Sequence, residues 1–313
     1  MEKPFKFAAA VKLWSGLLAG LLAPSLASAC ACGCGIFDVG TSSMFPNGEG
    51  GTAYLQYDYQ DQNQNWSGTS SAPAANNTDR EIQTQFVTLG YQYLFNRSWG
   101  IQAEVPYGYR TFKADDGTGQ ILTRSWNQLG DIRVRGLYTG FFPDMSAGIT
   151  FGLKLPTGSH LFAPEIVDRD TQLGTGSTDI LLGGFDHGDL TKDGNWGWFA
   201  QLQLDVPALI QAQYRPGLEL DTAAGIDFKG LVLGRVHIVP LAQVIFSERT
   251  SDSDAAADPA NTGYQRLLLA PGLELDIHPV KLYADVEFPV WQHLTGNQLV
   301  APLLVKVSLS YMF

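Results

Sequence analysis

A period of two, sustained over long runs, constrains this chain more than any other feature. From Val300 to Phe313, one face carries Ala301, Leu303, Val305, Val307, Leu309, Tyr311 and Phe313, and the other carries Pro302, Leu304, Lys306, Ser308, Ser310 and Met312. Strict alternation marks a β-strand with one apolar face, because successive side chains point to opposite sides. A run of about 10–14 residues is twice the length of an ordinary soluble strand and suits a tilted membrane strand. The same pattern recurs in Ala53, Leu55, Tyr57, Tyr59; in Val87, Leu89, Tyr91, Tyr93; in Trp99 to Tyr109; in Trp196 to Val206; and in Leu282 to Val290. Aromatic residues sit toward the ends of these apolar faces, as expected at the two interfaces of a bilayer.

The pattern predicts strands at roughly 51–61, 81–95, 99–112, 128–141, 146–156, 177–186, 195–207, 216–228, 231–246, 264–277, 280–291 and 300–313. Short connections at Asn96-Arg97-Ser98, 142–144, Lys229-Gly230 and His278-Pro279, with a somewhat longer one at 186–195, tend to alternate with longer polar ones at 62–80, 113–127, 157–176, 247–263 and 292–299, with 207–215 at the short end. Short turns on one side and long loops on the other define a transmembrane antiparallel up-and-down β-barrel of about 12 strands, an all-β fold. An even count places both termini in the periplasm of a Gram-negative cell.

The N-terminus agrees. Lys3, Lys6 and Lys12, an apolar stretch from Leu13 to Leu22, and Ala27-Ser28-Ala29 form a cleavable signal peptide over 1–29. Residues 30–50 form a Cys- and Gly-rich periplasmic segment, and 51–313 the barrel. No run of 18 apolar residues exists, so no transmembrane helix is expected. A net charge of −11 argues against nucleic acid as a partner.

With the apolar face toward outer-membrane lipid, the other face lines the lumen. It carries Glu104, Arg110, Asp131, Arg133, Arg135, Lys154, Asp205, Arg235, His237, Asp285, Glu287 and Lys306. Charges of this kind cost about 2–4 kcal/mol for Arg or Lys facing lipid at the midplane, so they face water or each other. Twelve strands enclose more space than the eight that side chains fill. A narrow polar passage for a small-molecule solute is the functional expectation. The competing reading is a non-conducting docking barrel. Asp131, Arg133 and Arg135 are expected to form a ladder with Glu104 and Arg110 on the preceding strand.

All three cysteines fall in Cys30-Ala31-Cys32-Gly33-Cys34. After export they meet an oxidising compartment. Soft thiolates at this spacing offer Cu(I) or Zn ligands, with Cys30, Cys32 and Cys34 as the metal candidates. Lipidation of Cys30 and oxidation to a disulfide are the alternatives. No other cofactor is expected. An enzyme is not expected either. His160, His187, His237, His278 and His293 accompany no nucleophile-elbow motif, and adjacent Ser159-His160 cannot form a triad by itself.

Three motifs carry a resemblance. Leu129-Gly130-Asp131-Ile132-Arg133-Val134-Arg135 resembles the strand-four motif of a family of outer-membrane transporters. Gly152-Leu153-Lys154-Leu155-Pro156-Thr157-Gly158-Ser159 resembles its strand-five exit, and Leu173 to Gly183 its strand-six entry. The family is the one labelled MetA-pathway of phenol degradation, within the outer-membrane porin superfamily. The resemblance implies passage of small hydrophobic or aromatic compounds. The terminal Phe313 is similar to the C-terminal signature that the barrel-assembly machinery recognises.

Overall fold

The computed structural model describes Val39, Phe45, Pro46 and residues 48–313. The strands are β1 (Gly50–Gln62), β2 (Gln64–Gly68), β3 (Ser70–Ser71), β4 (Asp79–Leu94), β5 (Trp99–Asp115), β6 (Ile121–Leu129), β7 (Ile132–Tyr138), β8 (Ala147–Leu155), β9 (Ser177–Asp189), β10 (Trp196–Ile210), β11 (Glu219–Phe228), β12 (Leu231–Leu233), β13 (Val236–Arg249), β14 (Tyr264–Ile277), β15 (Val280–Val300) and β16 (Leu304–Met312). Every long pair is antiparallel. β1 lies between β4 and β16, which closes the sheet. β6 and β7 together make one stave, since both pair with β5. Small β2, β3 and β12 extend hairpins at the ends, so the closed barrel has twelve staves. Closure matters because a free strand edge in hydrocarbon would leave backbone groups without partners.

The molecule is inside out relative to a soluble protein. On β1 and β16, Leu55 pairs with Leu309 and Tyr57 with Val307 on the outside, while Asp58 pairs with Lys306 on the inside. Leu89 is 59% exposed, whereas Asp58 is 3% exposed and Lys306 fully buried. A continuous apolar outer belt is stable only in lipid. Aromatic rings mark its lower edge: Trp99 packs on Tyr138 at 4.8 Å, Trp196 on Phe228 at 5.0 Å, and Tyr311 on Phe313 at 6.4 Å. At the upper edge, Tyr57, Tyr59, Tyr107 and Tyr109 precede a polar outer face of Glu81, Gln83, Thr111, Lys113, Ser125 and Asn127. There Lys113 pairs with Glu81 at 2.8 Å and Thr111 meets Ser125 at 3.0 Å. The upper parts of β4, β5 and β6 therefore rise out of the membrane. Among the described residues no helix is long and apolar enough to cross a membrane.

Several boundaries differ from the sequence expectation. The expected loop at 292–299 is strand: β15 runs on to Val300, and its upper part pairs with β2. Residues 113–127 form no long loop: β5 and β6 run on as a hairpin, with the turn set by Asp115 and Asp116 accepting from Gly117 and Thr118 backbone amides. Polar outer residues hid these strand ends, because above the membrane the apolar half of the alternation disappears. The connection at Lys229-Gly230 is likewise a longer hairpin, with β12 paired to the start of β13. And the fourth stave breaks at Gly130-Asp131. The break lies opposite Pro106, which has no N–H to give to the ladder; Gly130 N instead donates to the Pro106 carbonyl at 2.8 Å.

The lumen is not uniformly polar. The chain 156–176 folds inward, and Phe162, Ala163, Ile166, Val167 and Leu173 pack on Ile82, Phe86, Phe112 and Trp126 of the inner wall. Trp126 and Phe162 stack at 4.7 Å. Below this plug, Val39 of the N-terminal segment packs on Ile245, Leu268 and Ala270. Phe45 lies nearer the periplasmic mouth, stacked on Phe185 at 5.0 Å and edge-on to Phe199 at 6.1 Å.

Candidate functional site

The site is the lumen itself, where alternation on twelve staves delivers charged side chains into one narrow space. Glu104 on β5 stands in register with Arg133 on β7, and Arg135 Nη1 donates to Glu104 Oε2 at 2.5 Å. Tyr54 Oη donates to Glu104 Oε1 at 2.6 Å, and Gln102 Nε2 donates to the same oxygen at 3.0 Å. Tyr54 reaches this point by lying across Gly90; a Cβ there would fall 1.9 Å from the ring. One stave further, Lys154 on β8 contacts Asp179 on β9 and donates to Asp205 on β10 at 2.9 Å. These charges are buried, and each has a partner of opposite sign close by, which offsets the cost of taking it out of water. Between the Glu104–Arg135 pair and Gln203 a cavity of about 50 Å³ remains. That is space for a few waters, not for a wide aqueous pore.

The opposite wall repeats the design. Lys306 on β16 pairs with Glu287 at 3.4 Å and donates to the Val39 carbonyl at 2.7 Å. Tyr283 donates to Asp285 at 2.5 Å, and Gln243 donates to the same carboxylate at 3.0 Å. Lys306 thus holds the N-terminal segment inside the barrel through one backbone oxygen.

Other expected residues act elsewhere. Asp131 occupies the break in the fourth stave, where its carboxylate accepts from Gly158 N at 2.9 Å, Thr175 N at 2.8 Å and Thr175 Oγ1 at 2.6 Å. It stitches the inward loop to the wall and does not join the expected ladder. Arg110 leaves that ladder too. Its register partner is Trp126, and its guanidinium donates to Thr84 Oγ1 at 2.9 Å and to the Thr171 and Gln172 carbonyls. Both are loop-positioning residues. His237 faces the periplasmic mouth opposite Asp276. Arg235 stands in the exposed turn between β12 and β13, outside the lumen, because the strand expected over 231–246 is split at Gly234-Arg235 into the two arms of a hairpin. Cys30, Cys32 and Cys34, the metal candidates, lie outside the described residues, as does the signal peptide.

At the extracellular rim, Asp79 opens β4 and shares a hydrogen bond with Asp168 of the inward loop. Burial, with Asp168 and Asp170 alongside, pushes the Asp79 carboxyl up to about 8, and Arg80 opposes the shift. Burial and the charge of Asp258 raise Asp168 as well. Desolvation outweighs the nearby cation, so one proton is shared by the pair.

Sequence reasoning missed Tyr54, Asp58, Asp179 and Tyr283 as lumen partners. Their inward phase was visible. Their partners were not, because Lys154 and Asp205 meet across an intervening stave, and a period of two says nothing about that.

No protein-family profile matches the chain, and no curated protein matches it. Solved structures do. The chain is similar to the COG4313 outer membrane channel from Pseudomonas putida F1, with a TM-score of 0.65 and 9% identity, over 88% of this chain and 100% of that one. It is also similar to the β domain of the Bordetella autotransporter BrkA, with a TM-score of 0.50 and 11% identity, over 85% of this chain and 100% of that one. At such identities the likeness is one of fold. With the lipid belt and the closed sheet, it defines the class: an outer-membrane β-barrel of a Gram-negative bacterium.

Proposed function

We propose that this barrel is a channel for small solutes across the outer membrane, with hydrophobic or aromatic compounds among them. The observation that carries the proposal is the lumen. It is lined by paired charges around a narrow gap, and the chain segments that occupy it are held by polar contacts that water can replace together with local apolar packing. The COG4313 structure is described as a channel, which agrees with this reading, whereas the BrkA domain shows that the fold alone does not decide it. The apolar wall under the inward loop, with Phe86, Phe112 and Trp126, suits a solute that is itself apolar. The motifs resembling the MetA-pathway family point the same way.

The test is conductance and liposome swelling with the purified full chain. Ion currents and uptake of small neutral solutes are expected, and exchanging Arg135→Gln shifts ion selectivity toward cations, because the gap loses the guanidinium that contacts Glu104. A correctly inserted barrel with neither current nor swelling, under any voltage, refutes the channel.

A further inference from the structure

A separate cavity of about 220 Å³ opens at the periplasmic end of the lumen. It is larger than the roughly 150 Å³ engineered cavity that admits benzene, so it holds a single ring with a short substituent. One side is apolar: Phe45, Phe199, Val239 and Leu241 line it. The other side is acidic. Lys281 lies between Glu274 at 3.0 Å and Asp276 at 3.4 Å. Lys229 lies between Asp189 at 3.3 Å and Asp227 at 3.8 Å. Each ammonium is thus bracketed by two carboxylates, and the lining itself holds three carboxylates, Asp227, Glu274 and Asp276, for the two ammoniums. Asp227 Oδ1 has no hydrogen-bond partner among the described residues. His187, stacked on Phe45 at 5.5 Å, and His237 complete the titratable groups of the lining.

We propose that this cavity is a binding site for a single-ring aromatic carrying a protonated amine. The ring lies against Phe45 and Phe199, and the ammonium meets the unbalanced carboxylates around Asp227. Three physical terms act together. The apolar side removes ring surface from water, the faces of Phe45 and Phe199 attract a nearby cation, and the carboxylate excess raises the local concentration of positive charge. An arenecarboxylate of the same size fits the space but meets like charge. The site lies where a solute leaves the lumen for the periplasm, so its role as a way-station rests on the channel reading above.

Isothermal titration of the detergent-solubilised full chain with benzylamine, benzyl alcohol and benzoate at pH 8 separates the terms, because the three ligands share one ring and are there cationic, neutral and anionic. Benzylamine is expected to bind at least tenfold tighter than benzyl alcohol, and benzoate not at all. Asp227→Asn is expected to bring benzylamine down to the affinity of benzyl alcohol. Val239→Trp, which fills the apolar side, is expected to remove both. Heat-modified gel migration checks that each variant is a folded barrel. Equal affinity for benzylamine and benzyl alcohol in the unaltered protein overturns the proposal, as does an unchanged affinity in folded Val239→Trp. Swelling assays run in parallel keep the two readings apart. Swelling without benzylamine binding leaves the channel standing and removes the site; binding without swelling does the reverse.

Discussion

Lys154 shows how single residues stabilise this interior. Its ammonium is buried between Asp179 and Asp205 on the two following staves. Removing one partner of a buried ion set costs about 3–5 kcal/mol, because the remaining charges lose their compensation. Lys154→Met is therefore expected to lower the thermal unfolding midpoint sharply, read by loss of β-sheet circular dichroism. Lys154→Met with Asp179→Asn and Asp205→Asn is expected to recover most of the loss. A single variant as stable as the unaltered protein contradicts the ion-set argument. Gly90 makes a steric case at the same scale. Any Cβ there collides with the Tyr54 ring, so Gly90→Ala is expected to displace Tyr54 and break its bond to Glu104. A destabilisation of about 1–3 kcal/mol, the usual range for overpacking, is expected in a denaturant titration. The inward phase of Lys154, Glu104 and Asp205 was legible from the sequence. The absence of a side chain at Gly90 as a seat for a tyrosine was not, because it depends on a neighbour 36 positions away in the chain.

The inward loop is the element whose behaviour the sequence concealed. Residues 157–176 are polar enough to pass for a solvated extracellular loop, yet Phe162, Ile166, Val167 and Leu173 turn into the barrel. One sign was present: Ile82, Phe86, Phe112 and Trp126 are apolar on the phase that elsewhere carries Gln, Glu and Arg, and an apolar inner wall requires a cover. Asp131 fixes the loop through three charge-assisted hydrogen bonds, each worth about 1.5–3 kcal/mol when the partner is an ion. Asp131→Ala is expected to make 157–176 accessible to protease while the barrel stays folded on gels. The Asp79–Asp168 contact adds a pH dependence with a definite sign. In the released loop an aspartate titrates at its ordinary value near 4. In the docked loop Asp79 titrates at about 8. The docked state therefore binds the extra proton, and the docking stability it contributes is complete below pH ~4 and lost as pH rises through about 8. Amide exchange of 157–176, corrected for intrinsic rates, is expected to quicken across that interval and to lose the dependence in Asp79→Asn. A profile that is flat in the unaltered protein contradicts the shared proton.

At the scale of the whole molecule, alternation and loop lengths were enough to read twelve staves, their closure and the lipid belt, because a barrel repeats one local rule in every strand. What occupies the barrel follows no local rule. Val39 and Phe45 sit in apolar clusters with residues of seven different strands, and Lys306 grips the backbone of the segment at Val39. A charged donor to a carbonyl is worth about 1.5–3 kcal/mol, comparable with burying the Val39 side chain, so the two contributions hold the segment in roughly equal measure. Removing the donor should then raise the displaced fraction by at least tenfold, since about 1.4 kcal/mol corresponds to one decade. Lys306→Met alone would leave Glu287 and Asp58 buried without their counter-charge, so the informative variant is Lys306→Met with Glu287→Gln and Asp58→Asn, which removes the cation together with both carboxylates. It is expected to fold with near-normal thermal stability and to show open-channel events at least several-fold more often in planar bilayers. If the segment instead stays closed in this variant, the hold resides in the aromatic stack of Phe45 on Phe185, and Phe45→Ala becomes the variant that opens the lumen.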